Sequence, residues 1–358
     1  MADVQPFRAV RYSGAAGPLG DLVAPPYDAV SPEERDLLYT RSPYNVVHLT
    51  LPDSPEDAGR LYRSWLSEGV LEQEDEAAAW LLAEEFVGPD GVARERRGVI
   101  VSLAAEPYST GRVLPHERTH EPIREDRLRL LRAMRAQPEP IFILAGADLG
   151  LALPERAPDL QADGSRLWRS AELDLDAVAG AELLIADGHH RYESAVEYGG
   201  ETGAARVMAL VIPTADPGLH VFPTHRVFHG RPDLAEAREG EECASLDDAL
   251  ARLAAAPCER SAAVAVRRGS VELVLGREGE LDVELVDRQG LEGISYTHHA
   301  FEAVAAVEEG GADVAFLLRE PNVGDVFAVA RSGRRMPQKS TYFYPKPLSG
   351  LLFHPVEL

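Results

Sequence analysis

Asp187-Gly188-His189-His190-Arg191 sets a carboxylate, two imidazoles and a guanidinium within five consecutive residues. These types together suit phosphate. Leu183 to Ala186 read as a short buried strand, Gly188 permits a tight turn, and Tyr192 to Tyr198 carry helix-forming residues. Backbone N–H groups at the helix start would then face the turn and favour an anion. Arg191 adds a planar, permanently charged fork, and Asp187 a carboxylate able to hold a metal cation or accept a hydroxyl proton. A single Asp-Gly turn would be ordinary cap chemistry. Four ionisable groups directly after a buried strand are what open α/β folds place at a ligand site.

The lysines mark a second stretch. Lys339 and Lys346 are the only two, so 34 of the 36 basic residues are arginine, and both fall within residues 336–347. A lysine kept in that background points to a need for a compact or titratable charge, which guanidinium cannot supply. His116-Glu117-Arg118-Thr119-His120 fits the H-E-x-x-H pattern of zinc peptidases. Pro115 and Pro122 bracket it, so no continuous helix is expected to set both histidines on one face. A polar loop reaching a ligand is the better expectation. His189 and His190 are helix neighbours about 100° apart, which suits hydrogen bonds to phosphate better than a shared metal. His225-Arg226 is a second candidate phosphate contact. His298-His299 opens a helix and is left unassigned. There is no Walker-type loop, dinucleotide-binding glycine pattern or Gly-x-Ser-x-Gly elbow.

These groups must be positioned by a mixed α/β chain. Phe7 to Tyr12 read as a first strand, and the paired prolines of Val23-Ala24-Pro25-Pro26-Tyr27-Asp28 hold a loop extended. Ser31-Pro32-Glu33-Glu34 opens a helix as a capping box, and Ser54-Pro55-Glu56-Asp57 opens another that Gly69 stops. Val46 to Leu49 read as a strand. Trp80 to Val87 and Val92 to Leu103 flank a hairpin turn. Arg124 to Ala136 form a helix with a basic face, Pro140 to Leu144 and Val207 to Ile212 form strands, Ala300 to Val307 a helix and Val314 to Leu318 a strand. Residues 1–230 are expected to form the main catalytic lobe. Residues 231–358 are expected to form a smaller αβ subdomain whose lysine segment returns to the site.

Composition bounds the function. At 358 residues and 38.9 kDa the chain can bury a sizeable core. No apolar run approaches the roughly 18 residues of a membrane span and no signal peptide is visible, so a cytoplasmic protein is expected. Cys243 and Cys258 give neither a disulfide framework nor zinc spacing. A net charge of -23 opposes nucleic-acid binding and favours a small-molecule substrate. Oligomeric state is not readable.

Six motifs in one order resemble the bacterial and archaeal family known as domain of unknown function 1015. They are Ala24-Pro25-Pro26-Tyr27-Asp28, His116-Glu117 with Thr119, Glu125-Asp126-Arg127-Leu128, Asp187 to Tyr192, Pro223-Thr224-His225-Arg226, and Lys339 to Lys346. Arg124 and Gln137 stand where lysine and asparagine are expected. The Asp-Gly-His-His-Arg box also resembles that of free L-serine kinases of the ParB/sulfiredoxin-like superfamily. That likeness implies a nucleotide-binding core with large insertions. It implies that Gly188, His189, His190 and Arg191 hold phosphate of ATP or ADP, and that Asp187 positions Mg²⁺ or the substrate hydroxyl. The implied chemistry is phosphotransfer in serine metabolism, as a serine kinase or, in reverse, a phosphoserine phosphatase.

The expected site thus has Asp187 or Glu117 as base, with Lys339 and Arg127 neutralising charge. His225 and Arg226 are further phosphate contacts, and Tyr27, Asp28, His116, Ser340, Thr341 and Tyr342 are substrate contacts. Two alternatives stand beside it: a ParB-like nucleotide switch without turnover, and a metal-dependent hydrolase built on His116, His120 and the histidine pair.

Overall fold

The computed structural model describes residues 1–203 and 205–356. Its main sheet has nine strands. In order they are Val113–Pro115, Leu183–Asp187, Ile141–Ala145, Arg206–Pro213, Ala93–Ala104, Ala79–Val87, Ser165–Ser170 and Leu160–Ala162, with Val4–Gln5 also pairing on Ala93–Ala104. Directions are mixed: Leu183–Asp187 runs parallel to Val113–Pro115 but antiparallel to Ile141–Ala145.

The central strands are apolar throughout because both sheet faces are covered. Leu184 and Ala186 join Phe142 and Leu144 on one face, under Val326 and Phe327 of the C-terminal helix Val323–Arg331. Leu183 and Ile185 join Ile141 and Ile143 on the other, under Tyr192 and Ala195 of the helix His189–Thr202. Two layers therefore fix the strand that ends at Asp187.

A second sheet of six antiparallel strands runs Glu241–Glu242, Ser270–Glu278, Arg260–Arg267, Val314–Leu317, His225–Phe228 and Ile294–Thr297. Its first strand in the chain begins at His225, so the expected division after residue 230 falls just beyond that strand. After Val314–Leu317 the chain returns to the first lobe. Tyr342–Tyr344 pairs with His220–Phe222, and His354–Pro355 with Ala136–Gln137.

Both expected caps are present: Ser31 and Glu34 form a reciprocal box at Pro32–Arg41, and Ser54 caps Pro55–Ser67. Val46 to Leu49 is corrected from strand to helix, Val47–Thr50. The reason is Asn45: its Oδ1 accepts from Val47 N at 2.9 Å while its Nδ2 donates to the carbonyls of Asp21 and Val23. Phe7 makes only an isolated bridge, leaving Val10–Tyr12 as the strand. Among the described residues no helix is long and apolar enough to cross a membrane.

Candidate active site

Asp187 is the last residue of its strand, and Gly188 turns the chain at φ 93° into the fourteen-residue helix His189–Thr202. Glycine is required at that turn twice over. The conformation is left-handed, and a Cβ would meet Ile141 Cγ2 at 2.7 Å and Arg191 Nη2 at 3.1 Å. The helix start has no side-chain cap, so its first N–H groups present their partial positive charge at the turn.

Two cations and three acids meet there. Asp187 Oδ2 accepts from Arg191 Nη2 at 2.9 Å, and Oδ1 lies 2.8 Å from Lys346 Nζ. Lys346 also donates to Asp28 Oδ2 at 2.5 Å, bridging the loop after Pro25-Pro26 to the strand end. Arg191 is fixed by Pro140 O at 2.6 Å and by buried Glu139 at 3.1 Å. Burial pushes the Asp187 carboxyl up, but Lys346 and Arg191 outweigh it and hold the group well below the ordinary range. Lys346 is correspondingly held charged: burial opposes its ammonium, and Asp187 and Asp28 overcome that.

Glu117 behaves in the opposite way. Enclosure in the cleft raises its carboxyl to about 7, Asp187 adds to the rise, and Lys339 and then Lys346 oppose it. Its side chain keeps 32% of its surface open. It can therefore exchange a proton near neutrality while Asp187 stays ionised, a separation of roles between two neighbouring carboxylates.

His116 is fully buried and locks the floor. Its Nδ1 lies 2.6 Å from the Ile185 carbonyl, which can only accept, so Nδ1 carries the proton and Nε2 accepts from Thr341 Oγ1 at 3.0 Å. Burial lowers its pKa to about 4, keeping the ring neutral. The H-E-x-x-H stretch is loop as expected, with His120 as the N-cap residue of the helix Glu121–Met134. The same contacts tie the Thr341 segment to the Asp187 strand, and Lys339 acts electrostatically on Glu117. Asp187, His116, Glu117 and Thr341 thus converge.

Several expected contacts have other occupations. His189 is buried, and its Nε2 accepts from the backbone N–H groups of His116 and Glu117 at 3.3 and 3.4 Å; His190 Nε2 accepts from His120 N at 2.9 Å. These rings shape the loop, leaving the helix backbone as the anion donor. Arg226 is fully buried on Asp287 at 3.1 Å and on the carbonyls of Thr224 and Lys339 at 2.6 and 3.0 Å. Beside it, His225 accepts from Leu318 N at 3.2 Å. Both hold the second sheet and the Lys339 loop rather than facing the turn. Arg127 spans Asp126 and the Thr50 carbonyl and lies 4.2 Å over the Tyr27 ring, whose hydroxyl burial raises to about 12. Ser340 is buried, donating to Pro337 O. Tyr342 is half-buried beside the cluster.

Mg²⁺ does not fit Asp187. Both carboxylate oxygens are already committed to cations, and among the described residues no three His, Cys, Asp or Glu side chains are grouped to hold a metal. The histidines of the zinc-hydrolase alternative bond elsewhere: His116 to the Ile185 carbonyl and Thr341, His189 and His190 to backbone N–H groups, and His120 to Gln338.

Glu139 and Lys346 were missed as site residues. Lys346 was signalled by the lysine count, whereas nothing local marks Glu139 as the buried partner of Arg191.

The sequence pattern of the family described as protein of unknown function (DUF1015) matches residues 4–271. The chain belongs to this family. The match stops short of Lys339 to Lys346, so the likeness of that stretch rests on its own residues. No curated protein matches the chain. Among solved structures, a conserved hypothetical protein from Pyrococcus furiosus is 18% identical, covering 70% of this chain and 93% of its own, at TM-score 0.39. A free serine kinase in complex with AMP is 16% identical, covering 71% and 91%, at 0.41. SbnI with a C-terminal truncation, from Staphylococcus aureus, is 15% identical, covering 66% and 82%, at 0.40. At these scores the likenesses carry no weight in the functional argument.

Proposed function

We propose that this protein transfers a phosphoryl group to or from a small hydroxyl metabolite, with L-serine and O-phospho-L-serine as the favoured pair. One observation carries the reading: a carboxyl raised to about 7, Glu117, stands beside an ionised Asp187 and two lysines at a helix N-terminus built for an anion. Phosphoryl transfer asks for positioning, charge neutralisation and one proton acceptor, and this cluster offers all three. The likeness of the Asp-Gly-His-His-Arg box to the ParB/sulfiredoxin-like serine kinases supports a nucleotide phosphate at the 188–191 turn.

In the kinase direction the serine oxygen bonds to phosphorus as the bridging P–O bond to the departing nucleotide breaks. The hydroxyl proton passes to Glu117. The helix N–H groups, Lys346 and Lys339 meet the charge on the phosphoryl oxygens, and Asp187 holds Arg191 and Lys346 in place. With water in place of serine and phosphoserine in place of nucleotide, the same groups release inorganic phosphate.

The test is L-serine release from O-phospho-L-serine by wild type and Glu117→Gln, with and without ADP. Turnover lost in the variant supports the reading, and a requirement for ADP identifies a reversible kinase. Nucleotide binding with no turnover on any hydroxyl substrate would overturn it in favour of a nucleotide switch.

A further inference from the structure

His298 follows the second-sheet strand Ile294–Thr297 and precedes the helix Ala300–Glu308, yet its ring leaves that lobe. It stacks on Tyr342 with centroids 3.6 Å apart and planes 9° from parallel. Its Nδ1 lies 3.3 Å from both the Pro223 carbonyl and Thr224 Oγ1. The carbonyl only accepts, so Nδ1 carries the proton and Nε2 offers a lone pair on the far edge of the ring. Among the described residues neither Nε2 nor the Tyr342 hydroxyl has a hydrogen-bond partner. The ring stays neutral: burial disfavours its cation, Lys339, His299 and Lys346 add to that, and only the Pro223 carbonyl opposes them. Tyr342 is the link, since it stacks on His298 and lies between Thr341, which donates to His116, and Lys346, which binds Asp187.

We propose that His298, backed by Tyr342, is the second lobe's contribution to substrate recognition. Its Nε2 accepts a hydrogen bond from an O–H or N–H of the small metabolite whose phosphate lies at the 188–191 turn. The inference rests on the phosphotransfer reading and deepens it. The substrate then bridges the lobes, with its phosphate on the first and its polar body on the second. A neutral imidazole with one free acceptor selects ligands carrying a donor there, and inorganic phosphate, lacking that body, does not reach it.

The experiment titrates inorganic phosphate, then O-phospho-L-serine, into the full chain while following the His298 ring nitrogens and the backbone amides of 188–191 by NMR. The same affinities are measured for His298→Asn, which keeps a donor where Nδ1 stands but loses Nε2, and for His298→Gln, which can restore an acceptor near Nε2. Both ligands should move residues 188–191, and only O-phospho-L-serine should move His298 Nε2. His298→Asn should bind O-phospho-L-serine about tenfold more weakly with phosphate affinity unchanged, the size of one lost hydrogen bond, and Gln should recover part of it. Unchanged phosphate affinity also shows that the variant is folded. If O-phospho-L-serine moves 188–191 but leaves His298 still, and His298→Asn binds as wild type, the proposal falls and the phosphotransfer reading stands. If neither ligand moves 188–191, both fall.

Discussion

Glu117 and Asp187 are two carboxyls in one cluster held in opposite protonation regimes, and the difference is set by their neighbours. Asp187 pairs directly with two cations, whereas at Glu117 burial dominates and Lys339 and Lys346 offset only part of it. If Glu117 is the proton acceptor, kcat rises with pH up to about 7 and then levels, and Glu117→Gln lowers it by roughly 10²–10⁴-fold and removes the pH dependence. Stability follows the opposite course. The folded-state pKa lies above the unfolded value, so the folded chain keeps a proton that the unfolded chain has released, and this group's contribution declines as pH rises from the ordinary carboxyl range to about 7. Glu117→Gln should therefore raise the thermal midpoint more at pH 8 than at pH 5, which calorimetry at the two pH values checks. At this scale the sequence was informative where chemistry is local. The 187–191 cluster, Glu117 and the isolated lysines stand out by type and spacing. The sequence was misleading at His189 and Arg226, because burial and partners more than seventy residues away decide what a polar side chain does.

Between elements, the C-terminal segment closes the site that the sheet begins. Lys346 ties Asp187 to Asp28, Thr341 latches onto His116, and Arg226 grips the Lys339 carbonyl. Lys346→Met leaves two carboxylates without their shared cation. It should cost about 1–3 kcal/mol, below the figure for a fully buried pair because Asp28 remains 38% exposed. Arg226→Met should cost more, about 3–5 kcal/mol, since its guanidinium is wholly buried and Asp287 would lose its partner. Urea midpoints for the two variants test both the sizes and their order. Caps such as Ser31 and Ser54 could be read directly because their partners are three residues away. A four-residue apolar run such as Val46 to Leu49 could not, since strand and buried helix look alike at that length and Asn45 reaches back over twenty residues to decide it.

Across the whole molecule, a site of closely paired cations and acids is carried on a chain of net charge -23. Self-repulsion of that excess should be relieved by screening, so raising NaCl from about 50 to about 500 mM should raise the melting temperature despite weakening the many exposed arginine pairs. A fall would mean the pairs outweigh the net field. The composition shifts after residue 230, and a return of the lysine segment was expected, but the packing of the helix Val323–Arg331 under the first sheet was not legible. Val326, Phe327 and Phe343 enter a core whose other members lie far earlier in sequence, and only the folded topology makes them neighbours. A cavity of about 500 Å³ is lined by Pro223, Thr224 and Ser340 together with Glu259, Glu280, Asp282, Arg319, Glu320 and Asp325, whose acidic excess opposes a phosphate. The decisive measurement is a crystal structure of the protein with ADP and O-phospho-L-serine. The account predicts phosphate oxygens within hydrogen-bond reach of the backbone N–H groups of His189 to Arg191 and of Lys346. Phosphate bound in the acidic cavity, or absent from the turn at saturating ligand, would contradict it.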